Sequence, residues 1–163
     1  MLTLAVLLWA GMLVGVSFLA TPAKFNAPSL TLPVALDVGR HTFAVFAPVE
    51  IATAAIATGL AALSRRKLVL ASIMFVDAMV ALQTLWLLPA LDARVAIIVA
   101  GGSVPDSPLH LLYIGLEAAK LLTLLTIGAL LLLDRYAHER QTAMIDAPAR
   151  SPSGAGHRIS DRR

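Results

Sequence analysis

Four long apolar stretches dominate this chain and decide what it can fold into. They cover about residues 2–20, 43–63, 68–88 and 111–133, and each has the roughly 20 residues that a helix needs to cross a bilayer. Hydrophobic residues make up 58% of the chain and charged residues only 14%. In soluble domains, roughly 45–50% of the residues are hydrophobic and about 25% are charged. The sequence therefore predicts an all-α bundle of four transmembrane helices.

The chain divides into a membrane domain and a tail. The membrane domain is predicted over residues 1–140, because 163 residues leave room for one domain. Residues 141–163 are rich in Ala, Ser, Pro, Gly and Arg, a composition typical of disorder. The absence of cysteine excludes disulfides and thiol chemistry. The basic residues adjoin apolar runs, so the net charge of +3 indicates contact with the lipid bilayer rather than with nucleic acid.

Prolines shape the predicted connections. Three of them lie in residues 21–42 and prevent a plain helix over the first half of that segment. Thr31 and Pro33 are suited to begin a helix that either lies on the membrane surface or continues into the second stretch with a kink at Pro48. A loop is expected from Pro89, at the end of the third helix, to the start of the fourth.

The distribution of basic residues predicts the orientation of the bundle. Three occur in the turn at residues 64–67 and six follow residue 133, against three in the connections on the opposite side. The positive-inside rule then places both termini in the cytoplasm, in a multi-pass protein of the bacterial inner membrane. The first stretch lacks a basic residue before its apolar core, so we interpret it as a retained helix, with a cleaved signal peptide as the alternative.

Ionisable residues within the apolar stretches mark the candidate site. Each costs about 2.5–3.5 kcal/mol at a helix centre on insertion scales. In the fourth helix, His110, Tyr113, Glu117 and Lys120 fall within an arc of about 80°, since each residue advances the helix by about 100°. Glu117 and Lys120 are three residues apart and can pair on their own helix.

Lys120 is the single basic residue deep inside a stretch, and three carboxylates compete for it. They are Glu50, Asp77 and Glu117, which with Lys120 form the predicted intramembrane polar cluster. At least one acid must then be protonated or face water. Two interpretations stay open, a self-satisfied structural cluster or a site of proton coupling. Glu50 by itself is interpreted as an acid near the interface, above a packing face of small residues.

Arg40, His41 and His110 are predicted to lie at the outer membrane surface, where they contact head groups. Two histidines on facing helices could also ligate a haem iron. No Cys-x-x-Cys-His motif and no second histidine pair accompany them. The sequence therefore predicts no cofactor and no metal.

Further polar and aromatic residues are interpreted as architecture. Trp9 is assigned to the aromatic belt at the interface, and Gln83 is expected to bond across to another helix. Local ion pairs are predicted for Asp37 with Arg40 and for Asp92 with Arg94.

Several short motifs follow one another along the chain in an order similar to that in a known group of proteins. They are Gly11-Met12-Leu13-Val14-Gly15-Val16-Ser17-Phe18 leading to Thr21-Pro22-Ala23-Lys24-Phe25, then Arg40-His41-Thr42-Phe43, Leu88-Pro89-Ala90-Leu91-Asp92-Ala93-Arg94, and His110 with Lys120. This order resembles a group of small bacterial four-helix membrane proteins, similar to the transmembrane protein 205-like group. The resemblance covers residues 5–133 and implies a four-helix bundle with no established catalytic residues.

The sequence carries no motif of a known enzyme class. It has no Gly-rich phosphate loop, no Gly-x-Ser-x-Gly and no His-Glu-x-x-His. We expect a non-enzymatic accessory or helper subunit that has a membrane-protein partner or forms a homo-oligomer. The first alternative is a small proton-coupled transporter that uses Asp77, Glu117 and Lys120. The second is a haem-binding membrane oxidoreductase that uses His41 and His110.

Overall fold

Four long helices make up the computed structural model, which describes residues 1–146. We name them α1 (Leu2–Asn26), α2 (Leu32–Leu63), α3 (Lys67–Val99) and α4 (Leu109–Asp146). Each is long and apolar enough to cross a membrane, with a mean hydropathy of 1.7 to 2.2 over its most apolar window. The described residues contain no strand, so the all-α prediction is confirmed.

The helices form a ring in chain order, and neighbours run antiparallel. At least one side-chain hydrogen bond crosses each of the four interfaces: Trp9–Glu50, Thr58–Asp77, Gln83–Glu117 and Ser17–Glu117. We call the end with Met1 and the α2–α3 turn the turn end. The other end, with the connections at residues 27–31 and 100–108, is the cavity end.

Helix α2 begins well before the second apolar stretch. It starts at Leu32 instead of about residue 43, with Pro33 in its first turn and Thr31 as the residue that precedes it. A proline is tolerated there because first-turn N–H groups have no partner within the helix. The helix continues through Pro48, as the second of the two alternatives for this segment predicted.

Two segments with the wider π-helical winding interrupt α1 and α3. They are Val14–Ala20 and Gln83–Leu87, and a proline stands two residues after each of them, Pro22 and Pro89. Both prolines occupy the first turn of the next α-helical segment, where the missing N–H costs little. The prediction that Pro89 begins a loop was wrong for this reason, and α3 continues to Val99.

Helix α4 runs further than the fourth apolar stretch, to Asp146. The first residues of the predicted disordered tail, 141–146, are therefore helical. The rest of that tail, residues 147–163, lies outside the described part of the chain.

The apolar core lies in the half of the bundle nearer the turn end, which we call the packed half. Its buried side chains come from all four helices and include Trp9, Ala57, Ile73 and Leu124. Small residues on both sides of the ring let the helices approach closely. At Gly128 of α4, an added Cβ would lie 2.6 Å from Cδ2 of Leu7. The other half, nearer the cavity end, is the open half.

Candidate functional site

Three charged side chains meet at the centre of the bundle, and we call them the charge triad. Lys120 Nζ lies 2.6 Å from Oε1 of Glu50 and 2.8 Å from Oε1 of Glu117. The residues are buried, with 0%, 4% and 1% of their surface exposed, respectively. The predicted pair within α4 is present, and Glu50 joins it from the diagonally opposite helix α2. The structure thus brings together three of the four residues predicted as a cluster.

Uncharged donors from the other two helices complete the triad. Trp9 Nε1 donates to Glu50 Oε1 at 3.2 Å. Ser17 Oγ donates to Glu117 Oε2 at 2.7 Å, and Gln83 Nε2 donates to Glu117 Oε1 at 2.9 Å. All four helices therefore supply a side chain to one network, and buried charges of this kind are tolerated only when they are paired and hydrogen-bonded.

One sequence interpretation at this network was wrong. Trp9 is expected in the aromatic belt, where its ring would be exposed, yet it is fully buried between the helices, and Glu50 beside it is nearly so. Both positions follow from the antiparallel pairing of α1 with α2, which sets the indole beside the carboxylate. Pairing with Lys120 and Trp9 lets the acid lie buried between the helices.

Both π-helical segments carry a residue of the network. Ser17 lies within Val14–Ala20, and Gln83 begins Gln83–Leu87. Wider turns of this kind occur frequently at functional sites. The bond that Gln83 makes to another helix was predicted. Ser17 was missed, because no signal in the sequence marks the change of winding that turns it toward Glu117.

Asp77 lies apart from the triad. Its Oδ2 accepts a hydrogen bond from Thr58 Oγ1, so this acid of α3 faces α2 rather than Lys120. The side chain is partly buried, and Oδ1 has no hydrogen-bond partner within the described residues. Asp77 therefore belongs to a separate polar contact between two neighbouring helices.

A half-open cavity of about 940 Å³ occupies the open half. Its walls are largely apolar and include Phe18 and Phe43, and toward the bundle centre it ends at Ser17, Tyr113 and Glu117. The volume falls in the range of about 300–1,000 Å³ typical of small-molecule sites. Glu117 therefore belongs to the charge triad and to the cavity wall at the same time.

The rim of the cavity contains the predicted interfacial arginine. Arg40 lies 3.0 Å from Asp37 and 3.4 Å from Asp92, so the first predicted ion pair is confirmed. The predicted Asp92–Arg94 pair was wrong, since Asp92 pairs with Arg40 and Arg94 donates to the carbonyl of Pro105. Residues two positions apart on a helix do not face each other, and α3 is helical here.

The two candidate histidines occupy different surroundings. His110 lines the cavity. His41 is exposed, and its Nδ1 lies 2.9 Å from the carbonyl oxygen of Asp37 on the same helix. Within residues 1–146, no group of three or more His, Cys, Asp or Glu side chains is arranged to hold a metal ion.

No protein family, curated protein or solved structure matches this chain. The resemblance to the transmembrane protein 205-like group therefore stays a prediction. What can be argued about function rests on the charge triad and on the cavity beside it.

Proposed function

We propose that this protein is a small membrane carrier that binds an amphipathic solute in the cavity and couples its movement to proton exchange at the charge triad. One observation carries the proposal: Glu117 is a wall of the cavity and a partner of Lys120. Ionisable residues inside a membrane commonly mark substrate pathways and proton relays. The carrier uses Glu50, Glu117 and Lys120, and Asp77 has no part in it.

The charge balance of the triad supports proton exchange. Two carboxylates share one ammonium group, so the fully ionised network holds an excess negative charge in a low-dielectric interior. Such an excess is costly unless a proton or water compensates it. A proton bound by Glu117 leaves Lys120 paired with Glu50 alone. A solute that excludes water from the cavity therefore favours the network that has taken up a proton.

The orientation and location of the bundle belong to the same proposal. The basic turn at residues 64–67 supports an orientation with the turn end in the cytoplasm of a bacterial cell and both termini inside. The cavity end then faces outward, so the solute enters from the outer side of the inner membrane.

A transport assay in proteoliposomes tests the carrier. Three fluorescent single-chain amphiphiles with anionic, zwitterionic and cationic head groups are followed by dithionite quenching, with and without an imposed pH gradient. We expect at least one probe to cross faster than in protein-free vesicles, at a rate that follows the gradient. In Glu117→Gln, whose amide cannot exchange the proton, we expect the gradient dependence to disappear.

The matched control is Asp77→Asn, which also neutralises an acid inside the bundle but lies away from the cavity. We expect it to keep the gradient dependence of the wild type. The carrier proposal is contradicted if no probe crosses faster than in empty vesicles, or if Glu117→Gln responds to the gradient as the wild type does.

An accessory subunit is the second candidate, and the far end of α4 favours it. Residues 132–145 are exposed on every side, so this part of α4 extends beyond the other three helices. An unaccompanied helix offers a surface to another subunit. Native mass spectrometry after mild extraction separates the candidates, because a reproducible heteromeric partner supports the accessory role and a homo-oligomer supports the carrier.

A further inference from the structure

We propose that the cavity takes an acyl-chain amphiphile with an anionic head group, a phosphate or a carboxylate, and that Lys24 binds this head group. The inference names the solute of the proposed carrier and rests on that function for its transport. Binding of the amphiphile, as distinct from its transport, is supported by four observations at the cavity. They are the ion pairs among its charged side chains, the position of Lys24, the apolar walls and the position of Glu117.

The pairing of charges leaves one cation and one carboxylate of the cavity lining, Lys24 and Asp106, with neither an ion pair nor a side-chain hydrogen bond among residues 1–146. Arg40 forms ion pairs with Asp37 and Asp92, and Arg94 donates a hydrogen bond to the backbone carbonyl of Pro105. Lys24 also lines the cavity, and among residues 1–146 it makes no ion pair. Its ammonium group is thus available to an anionic ligand, with which charge-assisted hydrogen bonds are short and strong.

Lys24 is held in place by its surroundings. A Cβ added at Gly39 would lie 2.1 Å from Lys24 Nζ, so the ammonium group occupies the space that a side chain on α2 would fill. Nζ also lies 5.1 Å from the ring centroid of Phe25, within reach of a cation–π interaction. A lysine near a membrane surface usually extends its amine toward water. Here the amine lies against a helix at the edge of the cavity.

The rest of the cavity suits an alkyl chain. Its walls include Phe18, Leu36, Phe43, Leu91 and Val95. Burying such a chain contributes about 0.8 kcal/mol per CH₂ group. Glu117, at the inner limit of the cavity, repels a negative charge. The head group therefore lies at Lys24 and the chain points toward the bundle centre.

The test is equilibrium binding to the full chain in nanodiscs of zwitterionic lipid. The anionic probe is fluorescent dodecyl phosphate, and the neutral probe is the matching dodecyl glycerol. We expect Lys24→Gln to weaken binding of the phosphate probe about tenfold or more and to leave the neutral probe unchanged. Lys24→Arg, which keeps the positive charge, is expected to retain most of the wild-type affinity for the phosphate probe.

A glycine pair supplies an independent arm. Gly39→Ala is expected to weaken binding of dodecyl phosphate because the new Cβ displaces Lys24 Nζ. Gly59→Ala is the matched control on α2, since nothing lies within 4 Å of a Cβ added there. Inorganic phosphate alone is expected to compete poorly with the probe, because it lacks the chain that the apolar walls bind.

Several results would overturn the inference. They are unchanged binding of dodecyl phosphate in Lys24→Gln, equal weakening of both probes, and inorganic phosphate that binds as tightly as dodecyl phosphate. If the probe binds through Lys24 but does not cross proteoliposomes, the carrier proposal fails and the binding site stands. If amphiphiles cross under control of the pH gradient without a role for Lys24, the carrier stands and this assignment fails.

Discussion

The packed half and the open half of the bundle are built from the same four helices and differ in what their facing surfaces carry. In the packed half, alanines such as Ala57 and Ala61 are buried in one cluster with apolar side chains of the other helices. In the open half, aromatic residues and paired charges line a cavity of about 940 Å³. Small facing residues permit close helix approach, which fits the packed half.

The charge triad lies at the boundary between the halves. All three side chains are buried, and Glu117 is the member of the triad that lines the cavity. This position explains how an ion pair can lie buried at the centre of the bundle. Apolar side chains of the packed half lie on one side of the network and the cavity lies on the other, so one network contributes to the core and, in the proposed carrier, to the binding of the solute.

The largest expected effect comes from removing the cation at the boundary. Lys120→Met leaves Glu50 and Glu117 buried without an ammonium partner. We expect a loss of about 3–5 kcal/mol in the free energy of unfolding, because breaking a buried pair strands the remaining charge. Reversible unfolding in mixed micelles measures it.

A triple variant separates stranded charge from lost contacts. Glu50→Gln, Glu117→Gln and Lys120→Met together remove every charge of the triad, and we expect most of the lost stability to return. A Lys120→Met protein within about 1 kcal/mol of the wild type, the range of an exposed pair, would mean that water reaches the triad and that the halves are not separated there.

The next effect compares two glycines of α4, Gly128, which is buried in the packed half, and Gly115, which is exposed on the outer face of the bundle. In Gly128→Ala the new Cβ meets Leu7 at 2.6 Å, whereas nothing lies within 4 Å of a Cβ at Gly115. We expect Gly128→Ala to lose about 1–3 kcal/mol through overpacking. Gly115→Ala is expected to be neutral or to gain up to about 1 kcal/mol from reduced backbone entropy. Equal effects in the same unfolding assay would contradict the close contact of Gly128 with Leu7 in the packed half.

Much of the fold could be predicted because it depends on properties of single segments. Apolar length predicts the four helices, and spacing within one helix predicts the Glu117–Lys120 and Asp37–Arg40 pairs. Membrane helices must satisfy their own backbone groups, so length and hydropathy are strong signals. The ends of the helices were predicted less accurately, since α2 begins eleven residues before its apolar stretch.

The site could be predicted only in part because it depends on how the helices face each other. Glu50 meets Trp9 and Lys120 through the rotation and register of three helices, which no single segment encodes. Asp77 faces Thr58 for the same reason. At Ser17 a local change to π-helical winding alters the direction of the side chain, and regular helical periodicity cannot anticipate it.

The smallest effect is expected at the turn end, where Arg66 of the α2–α3 turn pairs with Asp134 of α4. Both side chains are about half exposed, and such a pair contributes about 0–1 kcal/mol and weakens with salt. We expect Arg66→Gln to match the neighbouring control Arg65→Gln within that margin in the unfolding assay. Arg65 makes no ion pair in the described part of the chain, so the two variants remove equal charge and differ in one contact. A larger loss in Arg66→Gln would show that the turn holds the packed half together. A small loss would assign the stability of the packed half to the buried contacts between the helices, because the helices then keep their register without the exposed Arg66–Asp134 pair.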